Sequence, residues 1–243
     1  MNASIICNFI CTKEPRLQVL KDQLKVMAHI FKDYKFYINY NTDVNVEEVK
    51  KCFTESIPNL YFQNDCTPDW GKITLDLVNM SDTKYVIYIL EDYMYDKEFD
   101  DAGVIIDPND PRLSTVDLDV RKQDWKDVIN ECYDNNIEHV FLAKIKKYLP
   151  GNGHINESHK YEEGNFIYKW HSSNAPTGVF SSSAIHDRSI LKQVLEQYNI
   201  QLPSPGQFEQ HHEVLRQLDL NCAIPKKQIC IQAHIERAVD HPS

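Results

Sequence analysis

Glycine is scarce in this chain, seven residues in 243, which limits how many turns can rest on a left-handed backbone. No glycine-rich phosphate loop is present, so the phosphate cradle that a nucleotidyltransferase needs finds no support. The seven cysteines, at positions 7, 11, 52, 66, 132, 222 and 230, are odd in number and form no CxxC pair. That pattern fits free thiols in a reducing compartment, and a cytoplasmic location is expected. No apolar run approaches a membrane-spanning length. The opening "MNASIICNFICT" lacks a basic leader and reads as a first strand rather than a signal peptide. Positive charge is also short: 26 Lys and Arg against 36 Asp and Glu give a net charge of -10, which argues against a nucleic-acid binder. Lys144, Lys146 and Lys147 form a local basic patch, read either as a solvated face or as a contact with phosphates or a membrane surface. Internal repeats, low-complexity segments and diagnostic metal-ligand spacings are missing, and the last absence ranks a metal-dependent hydrolase low.

What is there is a steady alternation of strand and helix. Hydrophobic residues make up 42% and charged residues 26%, the balance of a folded protein. "SIICNFI" reads as a strand, and Leu17, Leu20, Leu24, Met27 and Phe31 follow at helical spacing, with Pro15 suited to the first turn. "YKFYINY" predicts a second strand, and Val46, Val49 and Phe53 a second helix. "NLYFQ" is a third strand, Ile73, Leu77 and Met80 line a third helix, and "YVIYIL" is a fourth strand. Such alternation implies right-handed crossovers and a mostly parallel sheet covered on both faces.

Beyond Asp96 the pattern loosens into an acidic, turn-rich segment, then a helix marked by Trp125, Val128, Ile129 and Cys132. "HVFLAKIKKYL" reads as a strand and "PGNGHINESHKYEEGN" as a loop, with Pro150 to Asn165 a candidate lid. "FIYKWHSS", "TGVFSSSAI", a helix through Leu191, Val194, Leu195 and Tyr198, another from about Phe208 to Leu218, and a last strand "QICIQAHI" complete the reading.

The fourth strand runs directly into Glu91 and Asp92, with Tyr93 next. A carboxylate at the mouth of a buried strand is costly unless a cation or a hydrogen-bond donor meets it. Two readings stand: the strand has reached the surface, or the acids belong to a site. Ligands in such sheets collect at the carboxyl ends of strands, which favours the site.

Four stretches carry a resemblance to a known family. "SIICNFICTKEPRLQVLKDQL" pairs a strand ending in threonine with a proline and a Leu-rich helix. "YFQNDCTPDWGKITLDLVNMSDTKYVIYILED" leads through a turn and a helix to the acidic strand end. "TGVFSSSAIHDRSILKQVL" has small residues, a strand, an arginine and a helix. "FEQHHEVLRQL" sets Glu209 seven residues before Arg216, and "QICIQAHI" follows with a histidine near its end. Together they resemble the family 2 glycosyltransferases, enzymes of the GT-A fold that move a sugar from a nucleotide donor. The resemblance implies an α/β, Rossmann-like GT-A fold with a mixed, mostly parallel sheet. It also implies a single domain, with residues 1–96 as the nucleotide-sugar half and 97–243 as the acceptor half.

By that resemblance, Glu91 and Asp92 correspond to the acidic DxD motif, whose third position is here Tyr93. A divalent metal, Mn or Mg, is expected at such a motif; with Tyr93 in the third position, either Asp92 takes over the metal or the reaction runs without one. His234 lies where the family often carries a histidine that approaches the diphosphate or its metal. Glu209 matches the first acid of the family's ED pair, with Gln210 in place of the second, so Glu209, or Glu213 one turn on, is the expected base. Thr12, Asn39, Asn41 and Asn64 correspond to donor and nucleotide contacts, and Trp170, His171 and Arg216 to the acceptor side. The expected activity is inverting transfer from a nucleotide-diphosphate sugar to a hydroxyl of a glycan, glycolipid or glycoprotein. The partners are that donor and a glycan or lipid-linked acceptor, with peripheral membrane contact; the base of the nucleotide stays open. Rival readings are a non-catalytic sugar- or nucleotide-binding module and, behind it, the metal-dependent hydrolase.

Overall fold

The first strand, Ala3–Phe9 (β1), is buried along its whole length, as a near-continuous apolar run requires in the middle of a parallel sheet. It feeds helix Glu14–Ile30 (α1), with Pro15 in the first turn, then strand Phe36–Tyr40 (β2), helix Val46–Ser56 (α2) and strand Leu60–Gln63 (β3). Helix Trp70–Met80 (α3) starts at Asp69, whose carboxylate accepts the Lys72 N–H, and leads to strand Tyr85–Tyr88 (β4). Short strands Tyr93–Met94 (β5), Lys97–Phe99 (β6) and Leu113–Thr115 (β7) precede helix Leu118–Asp134 (α4), capped by Asp117 on the N–H groups of Asp119 and Val120. Strands His139–Phe141 (β8), Glu162–Glu163 (β9), Ile167–His171 (β10) and Ala184–Asp187 (β11) follow. Helix Arg188–Gln197 (α5) and strands Asn221–Pro225 (β12) and Ile231–Gln232 (β13) complete the order. This computed structural model describes residues 2–99, 109–142, 162–172, 183–197 and 218–232.

One sheet of nine strands runs in the order β3-β2-β1-β4-β11-β8-β12-β10-β9. β3, β2, β1 and β4 are parallel, as the alternation predicts; β11 is antiparallel to both β4 and β8, β12 is parallel to β8, and β10 is antiparallel to β12 and β9. The sheet therefore has a parallel core and a mixed second half. The Tyr85 hydroxyl donates to carbonyls of Cys132 at the end of α4 and of Ile137 beyond it, whereas Asn8, on the opposite face of β1, bonds Thr74 of α3. Helices α1, α2 and α4 thus cover one face, and α3 and α5 the other.

One expectation needs correction. Among the described residues of the predicted last strand "QICIQAHI", Ile231 and Gln232 form a strand paired with β5 outside the main sheet, and residues 233–235 lie outside the described residues. A strand that no periodicity announces, β12, does enter the sheet; its five residues end in Pro225 and show no alternation. The predicted helix from Phe208 and most of the candidate lid lie outside the described residues, as does "AKIKKYL".

Candidate functional site

β4 carries its pairing one residue past its end, with the Ile89 N–H on the Ile6 carbonyl, and the chain then turns at Glu91 and Asp92. Both acids are buried, 7% and 2% exposed. What meets them is Arg16, itself 8% exposed, from the first turn of α1. One terminal nitrogen lies 2.8 Å from Glu91 Oε1 and the other donates to Asp92 Oδ2 at 3.1 Å. Burial alone would lower the Arg16 pKa, but Glu91 and Asp92 outweigh it and hold the guanidinium above its ordinary value. Gln232 adds a donor to Asp92 Oδ2 at 3.4 Å.

The same stripe of α1 holds the next residues. Gln23, two turns on from Arg16, accepts the Tyr95 N–H at 2.8 Å and donates to Asp96 at 3.0 Å. Val19, between them, packs with Met94 and Ile231. The signal for this grip was in the sequence: Arg16 and Gln23 are polar residues on an otherwise apolar stripe. Two thiols complete the underside. Burial and then Glu91 push the Cys7 pKa well up and that of Cys11 to about 12, which favours the neutral thiol at both.

The structure gathers the expected donor residues on this rim. Thr12 follows β1, Asn41 follows β2 with its N–H on the Phe9 carbonyl, and Asn64 follows β3. Asn39 and Asn64 carry structure as well. Asn64 Nδ2 donates to the carbonyls of Tyr40 at 2.6 Å and Thr42 at 3.0 Å, and Asn39 is fully buried with its amide on Asn8 and on the backbone of Asp65. Asn41 donates to the Thr67 carbonyl at 3.4 Å. Trp170 and His171 lie elsewhere: β10 is four strand spacings from β4, roughly 19 Å across the sheet. Trp170 is buried and stacked on Phe141, centroids 5.7 Å apart, while His171 is exposed near Asp219. Glu209, Arg216 and His234 lie outside the described residues.

The 349-residue structure of TarS from S. aureus in complex with UDP-GlcNAc matches 99% of this chain at 12% identity, with a TM-score of 0.59. The complex of the same protein with UDP matches 95% at 10% identity, with a TM-score of 0.56. The chain has a GT-A-like fold. It spans 60% of the length of those TarS structures. A 4-diphosphocytidyl-2C-methyl-D-erythritol synthase from Anaerococcus prevotii, at 11% identity over 93% of this chain and 88% of its own, has a TM-score of 0.48 and is too distant to bear on the site. No family model and no curated protein matches the chain.

In this GT-A-like sheet the acid pair stands at the carboxyl end of the strand beside β1, the side on which parallel sheets collect ligands. A hard divalent cation wants six or more oxygen ligands from several groups. Among the described residues no three His, Cys, Asp or Glu side chains converge on such a point. Tyr93, at the third motif position, is buried in β5 opposite Gln232 and offers no carboxylate. With both acids held by Arg16, the described donor set does not fit a divalent metal. No helix among the described residues is long and apolar enough to cross a membrane.

Proposed function

We propose that the chain transfers a sugar from a nucleotide-diphosphate donor to a hydroxyl of a glycan, glycolipid or glycoprotein, with inversion. The observation that carries this reading is the buried acid pair at the carboxyl end of β4, on one rim with Thr12, Asn41 and Asn64. The fold match to TarS, whose structures hold UDP-GlcNAc and UDP, supports a donor of that class. Thr12 and Asn41 would take the nucleoside, and the carboxylates of Glu91 and Asp92 would accept hydroxyls of the donor. Glu209 would remove the acceptor hydroxyl proton as its oxygen bonds to the anomeric carbon. The bond from that carbon to the diphosphate oxygen breaks in the same step, and the nucleoside diphosphate leaves with the electron pair. Arg216, His171 and Trp170 lie on the acceptor side in this scheme, and His234 beside the diphosphate.

One observation favours a second reading: both acids are already held by Arg16, as in a module that binds a nucleotide without turning it over. A thermal shift against UDP, GDP, CDP and dTDP, each in EDTA and with Mn2+, tests the first requirement, because a ligand of the native state raises the melting temperature. The nucleotide sugar of whichever nucleotide stabilises is then assayed for release of free nucleoside diphosphate. Stabilisation with turnover supports the transferase, stabilisation without turnover the binding module, and no stabilisation at millimolar ligand removes both.

A further inference from the structure

We propose that Arg16 is the fixed cation of this site, so that the chain takes the diphosphate of its donor with no divalent metal between Glu91 and Asp92. The ligand half of this inference rests on the transferase reading; the metal half does not. Two adjacent buried carboxylates repel each other and demand a counter-charge, and the guanidinium fork supplies one nitrogen to each, at 2.8 and 3.1 Å. A divalent ion would either displace Arg16 from Glu91 Oε1 and Asp92 Oδ2 or sit on the oxygen that Arg16 leaves, beside a buried guanidinium of the same sign. Breaking a buried ion pair in this way is strongly unfavourable.

The atoms left over point the same way. Arg16 Nε and Asp92 Oδ1 are both buried and have no hydrogen-bond partner among the described residues. The cluster therefore retains one donor and one acceptor. A metal ion would satisfy the carboxylate oxygen alone, whereas a ligand that carries phosphate oxygens and hydroxyl groups together satisfies both. A nucleoside diphosphate sugar is such a ligand. Arg16 thus takes the place of the divalent ion as the counter-charge of the two acids, and its Nε is the donor left for a phosphate oxygen.

The test uses the full chain and two kinds of probe. Mn2+ alone is titrated and followed by the EPR signal of the free ion, for wild type, Arg16→Met and Asp92→Asn. Wild type is expected to leave the signal intact, and Arg16→Met, with both carboxylates released, to bind Mn2+ about tenfold more tightly or better. Mn2+ binding by wild type that Asp92→Asn removes overturns the proposal. UDP, GDP, CDP and dTDP are each titrated calorimetrically in EDTA and in Mn2+, and the affinities of the one that binds are expected to agree within about twofold and to fall in EDTA when Arg16 is replaced. An affinity that rises more than about tenfold with Mn2+ overturns it too. If no nucleotide binds in either buffer, the transferase reading fails and the Mn2+ titration alone decides the role of Arg16. Should Arg16→Met not fold, the two wild-type titrations still decide it.

Discussion

Asn39 and Asn8 sit opposite each other on β2 and β1, and their amides form a chain with one direction. Asn39 Nδ2 donates to Asn8 Oδ1 at 2.9 Å, Asn8 Nδ2 donates to Thr74 Oγ1 at 3.0 Å, and Thr74 Oγ1 donates to the Trp70 carbonyl at 2.8 Å. Asn39 also takes both backbone groups of Asp65, accepting its N–H at 2.9 Å and donating to its carbonyl at 3.1 Å. One side chain thus ties the loop before α3 to the first turn of that helix. Asn39→Ala would leave the buried Asn8 oxygen and the half-buried Asp65 backbone without these partners. The expected loss is about 2 kcal/mol in urea denaturation with an unchanged slope; a loss below about 0.5 kcal/mol would show that the network is not holding the loop. The expectation of a donor contact at Asn39 rests on its place near a strand end. Its burial against Asn8 depends on strand register, which a single strand does not reveal. Arg16 is hidden for a similar reason: the leucines announce the helix, and the partner of a buried acid pair lies 75 residues away in the chain.

At the scale of elements, small polar clasps fix turns of the second half to its helices, which themselves pack on α1 and α3 of the first. The turn between β9 and β10 is one of them. Glu131, near the end of α4, accepts the N–H groups of Asn165 and Phe166 at 2.7 and 2.6 Å. A Cβ on Gly164 would collide with that carboxylate, and the Ile167 carbonyl stands only 3.1 Å from the same point. Gly164→Ala should therefore cost about 1–3 kcal/mol, and a double-mutant cycle gives the check. In a background of Glu131→Ala the carboxylate is gone, so the glycine substitution should cost much less; additive losses would mean that the two sites do not interact. The elements themselves were legible where burial and periodicity agree. β1 is a near-continuous apolar run and β4 a continuous apolar and aromatic one, and α1, α3 and α5 show their leucine and isoleucine stripes. β12 was not, since "NCAIP" carries neither alternation nor length, and only its place between β8 and β10 makes it a strand.

At the scale of the whole molecule, the two halves of the nine-stranded sheet meet where β11 lies between β4 and β8. Beside that seam, on the face that α3 and α5 cover, His139 of β8 and His186 of β11 are fully buried and directly opposite, with their Nδ1 atoms 3.1 Å apart. A neutral pair can share one proton between those nitrogens, and charging both rings would set two donors against each other. Burial, and then His186, accordingly push the His139 pKa well below its ordinary value of 6.5. In the unfolded chain the same ring titrates near that ordinary value. Above it neither state binds the proton, so the stability of the fold is complete there. As pH falls below it the unfolded state binds the proton and the folded state does not, and stability drops by up to about 1.4 kcal/mol per pH unit until the folded pKa is reached. Surface acid pairs act in a lower window: the Arg112 guanidinium and the Arg112 N–H hold Asp110 down to about 2, well outside the histidine range. Urea denaturation between pH 7.5 and 5.5 should therefore show a loss of about 1 kcal/mol in the natural chain. Replacing both rings by leucine should flatten that slope, because the exposed histidines, such as His29 beside Asp119, are the same in both proteins. Equal slopes in the two proteins would mean that the seam between the halves opens to water before the pair is charged.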